Sequence, residues 1–389
     1  MLEFRERLVE AMERSGVEQT QLADWVDSTQ PTVSQWCRGE TTPPTERIVQ
    51  IAMHLDVEFS WLVAGKSSEE VQRQLKQLAK PVTWRFVLAL ASDWMIIVGA
   101  MLCAATWPTW WICMASVLVI GTRLHAIGIL GHDAAHYLAT RDRKVNDALG
   151  MVFCFWPLGG SLTGYRDFHK QHHRHLGTEY DPERHLFNTK EWKIPVKRAS
   201  LVWQFIRACL GVQACLGIRS HDFAKLLSSF APQTKTEFAG IPIWWTCFAL
   251  TLWMLDCLWL LGLYAIAIPT VFWALIELRG WTEHRGIADT HRYQANWLLR
   301  QFLLPHNVWM HYEHHQWCYI PFYNLPRARE LDIKTPVVQL KEVFKFFGTA
   351  DPRNYADANG YQLNLDHFSG QDASKSLRHD PDGTHGAGR

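Results

Sequence analysis

Nineteen histidines occur among 389 residues, and eight of them fall into three tight groups: His132-Asp-Ala-Ala-His136, His169-Lys-Gln-His172-His173 and His311-Tyr-Glu-His314-His315. Residues three and four apart share a helix face, so on helices each group points several imidazoles the same way, as a half-shell of metal ligands. At this histidine content an HxxHH pattern arises by chance roughly 0.05 times per chain and HxxxH about once, so the two HxxHH boxes carry the argument. Eight imidazoles exceed what one four-coordinate zinc accepts, and neutral imidazole suits iron as well as zinc or copper. Two metal ions are the economical reading.

Ligands this far apart along a chain need rigid carriers. Between Arg85 and Arg123 lie 37 residues with a single charge, Asp93, broken near the middle by Trp107-Pro108. That length gives two helices of about 18 residues, each near the minimum for crossing a hydrocarbon core of about 30 Å. Residues 238–276 form a second such stretch, 39 residues with Asp256 as the only charge. Two transmembrane hairpins follow, with Asp93 expected in the bundle interior or near a helix end. Neither hairpin tip contains Lys or Arg, whereas the flanking segments are rich in both, so the tips face outward and the histidine groups lie in or beside cytoplasmic segments. The chain is 48% hydrophobic and contains 20 Trp, which suits interfacial belts around membrane helices. The alternative is a soluble protein with a large aromatic core.

Nine cysteines are scattered without a CxxC pair, which excludes a rubredoxin iron or a four-cysteine zinc site. No GxGxxG fingerprint and no haem-binding module are visible, so electrons for any redox chemistry must come from outside. Net charge near zero excludes no partner. Residues 1–20 alternate charge with apolar residues and lack a signal-peptide core, which places the start of the chain in the cytoplasm.

The three boxes resemble the membrane fatty acid desaturase and hydroxylase superfamily, over roughly residues 80–345. Further matching pieces are Asn146-Asp147-Ala148-Leu149-Gly150 after the first box, HHRHLGTEYDPE at the second, and HNVWMHYEHHQWCYIPFYNLPRARE at the third. The third box departs from its relatives at Trp317-Cys318-Tyr319, where a proline often stands. The resemblance implies two non-haem irons and O2 as co-substrate. It also adds a ninth ligand, His284 in Glu283-His284, to His132, His136, His169, His172, His173, His311, His314 and His315. Asp133, Asp181, Glu283 and Glu313 are candidates for fixing ring tautomers through the second nitrogen, with solvated surface carboxylates as the alternative. His125, His175, His185 and His306 are read as hydrogen-bonded or exposed, and Asn307 as no ligand. The implied reaction is desaturation of an acyl-lipid or acyl-thioester, with lipid hydroxylation or ketolation as the alternative. A separate ferredoxin, rubredoxin or cytochrome with its reductase is implied as donor.

Residues 1–66 resemble a repressor-type helix-turn-helix domain. The resemblance rests on Gln19-Thr-Gln-Leu22-Ala23, Ser28-Thr-Gln-Pro-Thr-Val33-Ser34-Gln35-Trp36 and Arg38-Gly39. In such domains Gln19, Thr29, Gln30, Thr32 and Gln35 lie near base edges in the major groove. Against DNA binding stands charge: residues 1–65 hold five Arg and no Lys against eleven Asp and Glu, a formal charge of −6. A protein-contact role and a homodimer both stay open. A membrane-tethered regulator that uses the oxidase fold as a sensor is the competing function.

The expected architecture is all-α. It comprises a helix-turn-helix bundle (1–66), a polar linker (67–82), a four-span di-iron desaturase-like domain with a cytoplasmic cap (83–348) and a disordered tail (349–389). Residues 145–162, with Pro157 and Gly159-Gly160, read as an interfacial or re-entrant piece, and 201–218 as a helix lying on the membrane. The implied location is the bacterial inner membrane, with the N-terminus and the metal site cytoplasmic.

Overall fold

A computed structural model describes residues 4–57, 59–64, 68–178, 180–183, 193–212, 214–215, 231–287, 289–332 and 335–349. The expected disordered tail, from 350 on, and His185 lie outside the described residues. The fold is helical; among the described residues one sheet occurs, a parallel pair of two-residue strands, Tyr293–Gln294 and Val338–Gln339. The chain divides into two compact units, 1–79 with 327–335, and 80–326 with 336–389.

The first unit holds α1 (Phe4–Ser15), α2 (Gln19–Trp25), α3 (Gln30–Arg38), α4 (Thr45–His54), α5 (Phe59–Ala64) and α6 (Ser68–Leu78). Leu8, Leu22, Val26, Val33, Trp36, Ile51 and Leu62 form its core. Thr29 caps α3, its hydroxyl accepting from Thr32 N at 3.4 Å, with Pro31 in the first turn. Buried Arg7 donates to the Leu62 carbonyl at 2.8 Å and so ties α1 to α5.

In the second unit α7 (Thr83–Thr106) and α8 (Trp110–Ala135) form the first hairpin, turning at 107–109 as the Trp-Pro break requires. Both are longer than their charge-free stretch, because α8 runs on past Arg123 to carry the first box. α7 buries Phe86, Leu90, Asp93, Ile97, Met101 and Ala104, one stripe of helical period, while Trp84, Leu88, Met95 and Leu102 point outward. An apolar outer face is what a bilayer accepts and water does not. Asp93 is interior, as expected, held by Arg123 at 3.2 Å and His306 at 2.6 Å.

After α9 (Arg143–Gly150) comes a broken stretch, a π-turn at Met151–Phe155 and a 3-10 turn at Trp156–Leu158, then α10 (Leu162–His175) and α11 (Arg198–Cys209). The irregular backbone finds donors from three long helices. Trp94 reaches the Phe153 carbonyl at 3.1 Å, Trp245 that of Trp156 at 3.0 Å, and Tyr264 that of Pro157 at 3.3 Å. Non-helical backbone inside a membrane bundle survives when protein groups satisfy it in this way.

The second hairpin is α12 (Lys235–Met254) and α13 (Leu260–His284), turning at Asp256, which adopts a left-handed φ of 55°. Among the described residues three helices are long and apolar enough to span: α7, α8 and α13. The expected fourth, α12, falls short by composition, since its 20 residues include Lys235 and Glu237 in the first turn and Pro242 inside. Among the described residues the α-helices that follow are α14 (Trp297–Phe302), α15 (His311–Gln316), α16 (Leu325–Arg329) and α17 (Leu340–Thr349).

Candidate metal centre

Four elements bring the boxes together. The last turn of α8 carries His132, and His136 caps it; Tyr137 then turns left-handed (φ 61°), letting Leu138 N donate back to the Asp133 carbonyl at 3.0 Å. α10 carries His169, His172 and His173. Its N-terminus is capped twice, by Ser161 Oγ accepting from Gly164 N at 2.9 Å and by the Glu237 carboxylate accepting from Thr163 N at 3.1 Å and Ser161 Oγ at 2.9 Å. His284 ends α13, and His311, His314 and His315 lie on α15.

The nine imidazoles gather into two adjoining clusters. His132, His136, His169, His173 and His314 form one and His172, His284, His311 and His315 the other, each with its ring nitrogens within 4.8 Å of one another. The expectation that each box serves as one half-shell is corrected here. On a helix, positions three and four after a given residue diverge by about 100° in azimuth, so adjacent histidines reach different neighbours. His169 and His173 thus share a cluster and His172 joins the other, while His311 and His315 share theirs and His314 crosses over. The clusters touch through the stacked rings of His173 and His315, 4.3 Å between centroids.

Within the five-histidine cluster Nε2 atoms form a chain: His132 to His169 at 2.8 Å, His169 to His173 at 2.9 Å, His173 to His314 at 3.0 Å. In the other, His311 Nε2 lies 3.0 Å from both His284 and His315. A neutral imidazole has one N–H and one lone pair, so single nitrogens meeting two others this closely cannot all be satisfied by protons. Nε2 of His136 and of His172 is buried without a hydrogen-bond partner. A cation in each cluster would take up these lone pairs, and the donor set fits iron.

Burial, with positive neighbours, holds most of these rings neutral, the form that donates a lone pair. It brings His173 down to about 3, aided by His136 and His172, and His136 to about 4, aided by Arg166. His169, His311, His314 and His315 go the same way. His172 is the exception: burial lowers it, but Glu183 and the hydrogen-bonded Asp181 together raise it above its ordinary value.

Of the four carboxylates singled out for tautomer control, Asp181 stands where that role requires, 2.9 Å from His172 Nδ1. Glu283 pairs with Arg279 at 2.7 Å and lies 3.6 Å from His311 Nε2. Glu313 is fully buried against Arg292 at 2.6 Å. Asp133 accepts from Phe322 N at 2.9 Å, pinning the tail of the third box to the first. Two neighbours escaped the sequence reading: the Asp289 carbonyl, 3.3 Å from His284 Nδ1, and Tyr165, stacked on His169 at 5.3 Å and 8°. A helix-period search four residues before His169 finds Tyr165; the carbonyl has no sequence signal. His306 is held by Asp93, and Asn307 donates to the Phe322 carbonyl at 3.1 Å. His125 is buried two turns before His132 with both ring nitrogens unpartnered, and His175 is partly exposed.

The proposed DNA-contact residues lie on the helix-turn-helix pair. Thr29, Gln30 and Gln35 are exposed, Thr32 and Gln19 partly so, and Gln30 Nε2 donates to Gln19 Oε1 at 2.9 Å.

A helical bundle with apolar spans and two histidine clusters defines a membrane-bound metal oxidoreductase of the desaturase type. The fatty acid desaturase family model matches residues 106–337, and a helix-turn-helix model matches residues 8–62. The chain belongs to the fatty acid desaturase family and carries an N-terminal helix-turn-helix domain. It is 26% identical over 298 residues to dihydrorhizobitoxine desaturase of Bradyrhizobium elkanii, covering 70% of this chain and 82% of that protein. A chloroplastic omega-3 fatty acid desaturase of Ricinus communis is 24% identical over 283 residues, 64% of this chain and 59% of its own length. The chloroplastic sn-2 acyl-lipid omega-3 desaturase (ferredoxin) of Helianthus annuus is also 24% identical, over 285 residues covering 64% of this chain and 61% of that protein.

Proposed function

We propose that the protein is an O2-dependent di-iron desaturase acting on the alkyl chain of a membrane acyl lipid or acyl thioester. His132, His136, His169, His173 and His314 would hold one iron and His172, His284, His311 and His315 the other. The observation that carries this reading is the gathering of nine imidazoles, six buried and three half-buried, from four separate elements, into two adjoining lone-pair clusters beside apolar spans. Two irons there, when bound, would supply the redox chemistry with O2 that takes hydrogen from an unactivated C–H bond, which no side chain does unaided.

The chain's own groups do the rest. Asp181 holds the His172 tautomer, Asp133 and Arg123 fix the approach of the third box, and the apolar helices deliver an alkyl chain while keeping water away. Forming one double bond from CH2–CH2 and O2 consumes two electrons and two protons and yields two waters. The electrons come from a separate ferredoxin, rubredoxin or cytochrome. The site lies on the cytoplasmic side of a bacterial inner membrane, with α12 as the fourth span.

Expression in a bacterial host with iron and reductant, followed by lipid profiling against a His172→Ala control, tests the proposal. A new unsaturated acyl chain absent from the control is expected; an unchanged profile from protein carrying two irons removes acyl lipid as substrate. A smaller substrate is the second reading, favoured by the match to a relative named for dihydrorhizobitoxine. The helix-turn-helix domain adds a regulatory reading, motivated by exposed Gln30 and Gln35 on α3. A mobility-shift assay with the gene's own upstream DNA at low salt decides it, and no shift there rejects it.

A further inference from the structure

The first box ends where α8 runs out, and a helix leaves its last carbonyls without intrahelical donors. Here they are claimed by another box. Arg166 of α10 donates from Nε to the Ala135 carbonyl at 2.9 Å and from one terminal nitrogen to the Ala134 carbonyl at 3.2 Å. The same guanidinium is gripped by Asp147 of α9, at 2.5 Å and 3.4 Å, and covers the Tyr137 ring at 4.0 Å. Asn146 completes the clamp, donating to the Ala134 carbonyl at 2.8 Å and accepting from Ala139 N at 3.1 Å. Gly150 allows α9 to come this close, since a Cβ there would stand 2.8 Å from Ala134 Cβ and 3.0 Å from Leu162. The Asn146-Asp147-Ala148-Leu149-Gly150 motif thus has a mechanical meaning.

Placement makes the clamp selective. Ala134 and Ala135 lie between His132 and His136, while Arg166 lies three residues before His169 and seven before His173, on one face of α10. The fork therefore joins the two helices that supply four of the five histidines in one cluster. The other cluster takes His172 alone from these helices, and its remaining three members sit elsewhere.

We infer that Arg166, oriented by Asp147, is a positioning residue that sets the first and second boxes in register for the five-histidine metal position, and for that position selectively. This rests on the two-metal reading of the site. Lysine keeps the charge but not the planar fork, so Arg166→Lys is the informative variant, with Asp147→Asn as a milder second.

The full chain in detergent, made metal-free and titrated anaerobically with Fe(II) and separately with Co(II), is followed by metal content, magnetic spectroscopy and thermal melting. Wild type should bind two ions per chain with a spin-coupled signature. Arg166→Lys should hold one ion at wild-type affinity and the second at least about tenfold more weakly, with an isolated high-spin signal replacing the coupled one. Asp147→Asn should shift the same ion less. Two ions bound at wild-type affinity in Arg166→Lys overturn the inference. So does equal weakening of both ions in the two variants, which assigns the clamp a general structural role. A wild-type chain that binds fewer than two ions overturns the metal reading underneath, and is told apart from the other failures because it needs no variant.

Discussion

His136 and His173 are kept neutral chiefly by burial, titrating at about 4 and about 3 in the folded chain, while an exposed histidine in the unfolded chain titrates near 6.5. Between those values the unfolded state binds more protons than the folded one, so the stability they contribute is complete above about pH 6.5 and is lost as the pH falls toward 4. Each such ring contributes a slope of at most about 1.4 kcal/mol per pH unit. His172, raised by Glu183 and Asp181 against its burial, works the other way, but it is one ring against the several lowered ones. The metal-free protein should therefore melt at progressively lower temperature from pH 7 to pH 5, and a melting point that rises over this range would show that the imidazoles are not buried together. At the same scale, Asp181→Asn keeps the shape but removes the charge behind His172. Iron affinity at the four-histidine position should drop by roughly 10- to 100-fold with the fold intact, measured by titration with a competing chelator. Asp181 could be suspected from sequence because it follows its histidine by nine residues. Glu313, between two ligands, was as plausible, yet faces Arg292, because which side a carboxylate takes depends on what the third dimension puts beside it.

At the scale of elements, the helices do two jobs with one chain direction. α8 begins as a span and ends as a ligand carrier, and α13 does the same, ending on His284. Their crossing is close: a Cβ on Gly121 would overlap the Val271 side chain and stand 3.3 Å from the Ala267 carbonyl. Without a hydrophobic drive between helices in lipid, such small-residue contacts are what hold spans together. Gly121→Val should cost about 1–3 kcal/mol and weaken both metal positions, since α8 and α13 each carry ligands; unchanged melting and metal content in detergent would show that the crossing is loose. The hairpins could be read from uncharged length and from Trp107-Pro108. The split of each HxxHH box between two clusters follows from helical azimuth, but only once the neighbouring elements are known. α12 shows how one helix takes a second task, because its first turn is committed to capping α10 through Glu237.

For the whole molecule, each unit has its own core, the first built on Leu22, Val33, Trp36 and Ile51, the second on α7, α8 and α13. Removal of residues 1–79 should leave metal content and any lipid oxidation unchanged, as judged by iron analysis and lipid profiling; loss of both would mean that the second unit does not fold alone. In a salt titration of a mobility-shift assay, the acidic first unit should bind DNA weakly, with an affinity that falls steeply between about 50 and 200 mM salt.

The sequence by itself determined the number and type of the clustered imidazoles and the helices that carry them, because spacing and polarity are local quantities. Only the tertiary structure decided which imidazole meets which, which carboxylate stands behind a ring, and that Arg166 bridges two boxes. Those depend on distances between residues far apart in the chain, and no periodicity encodes them.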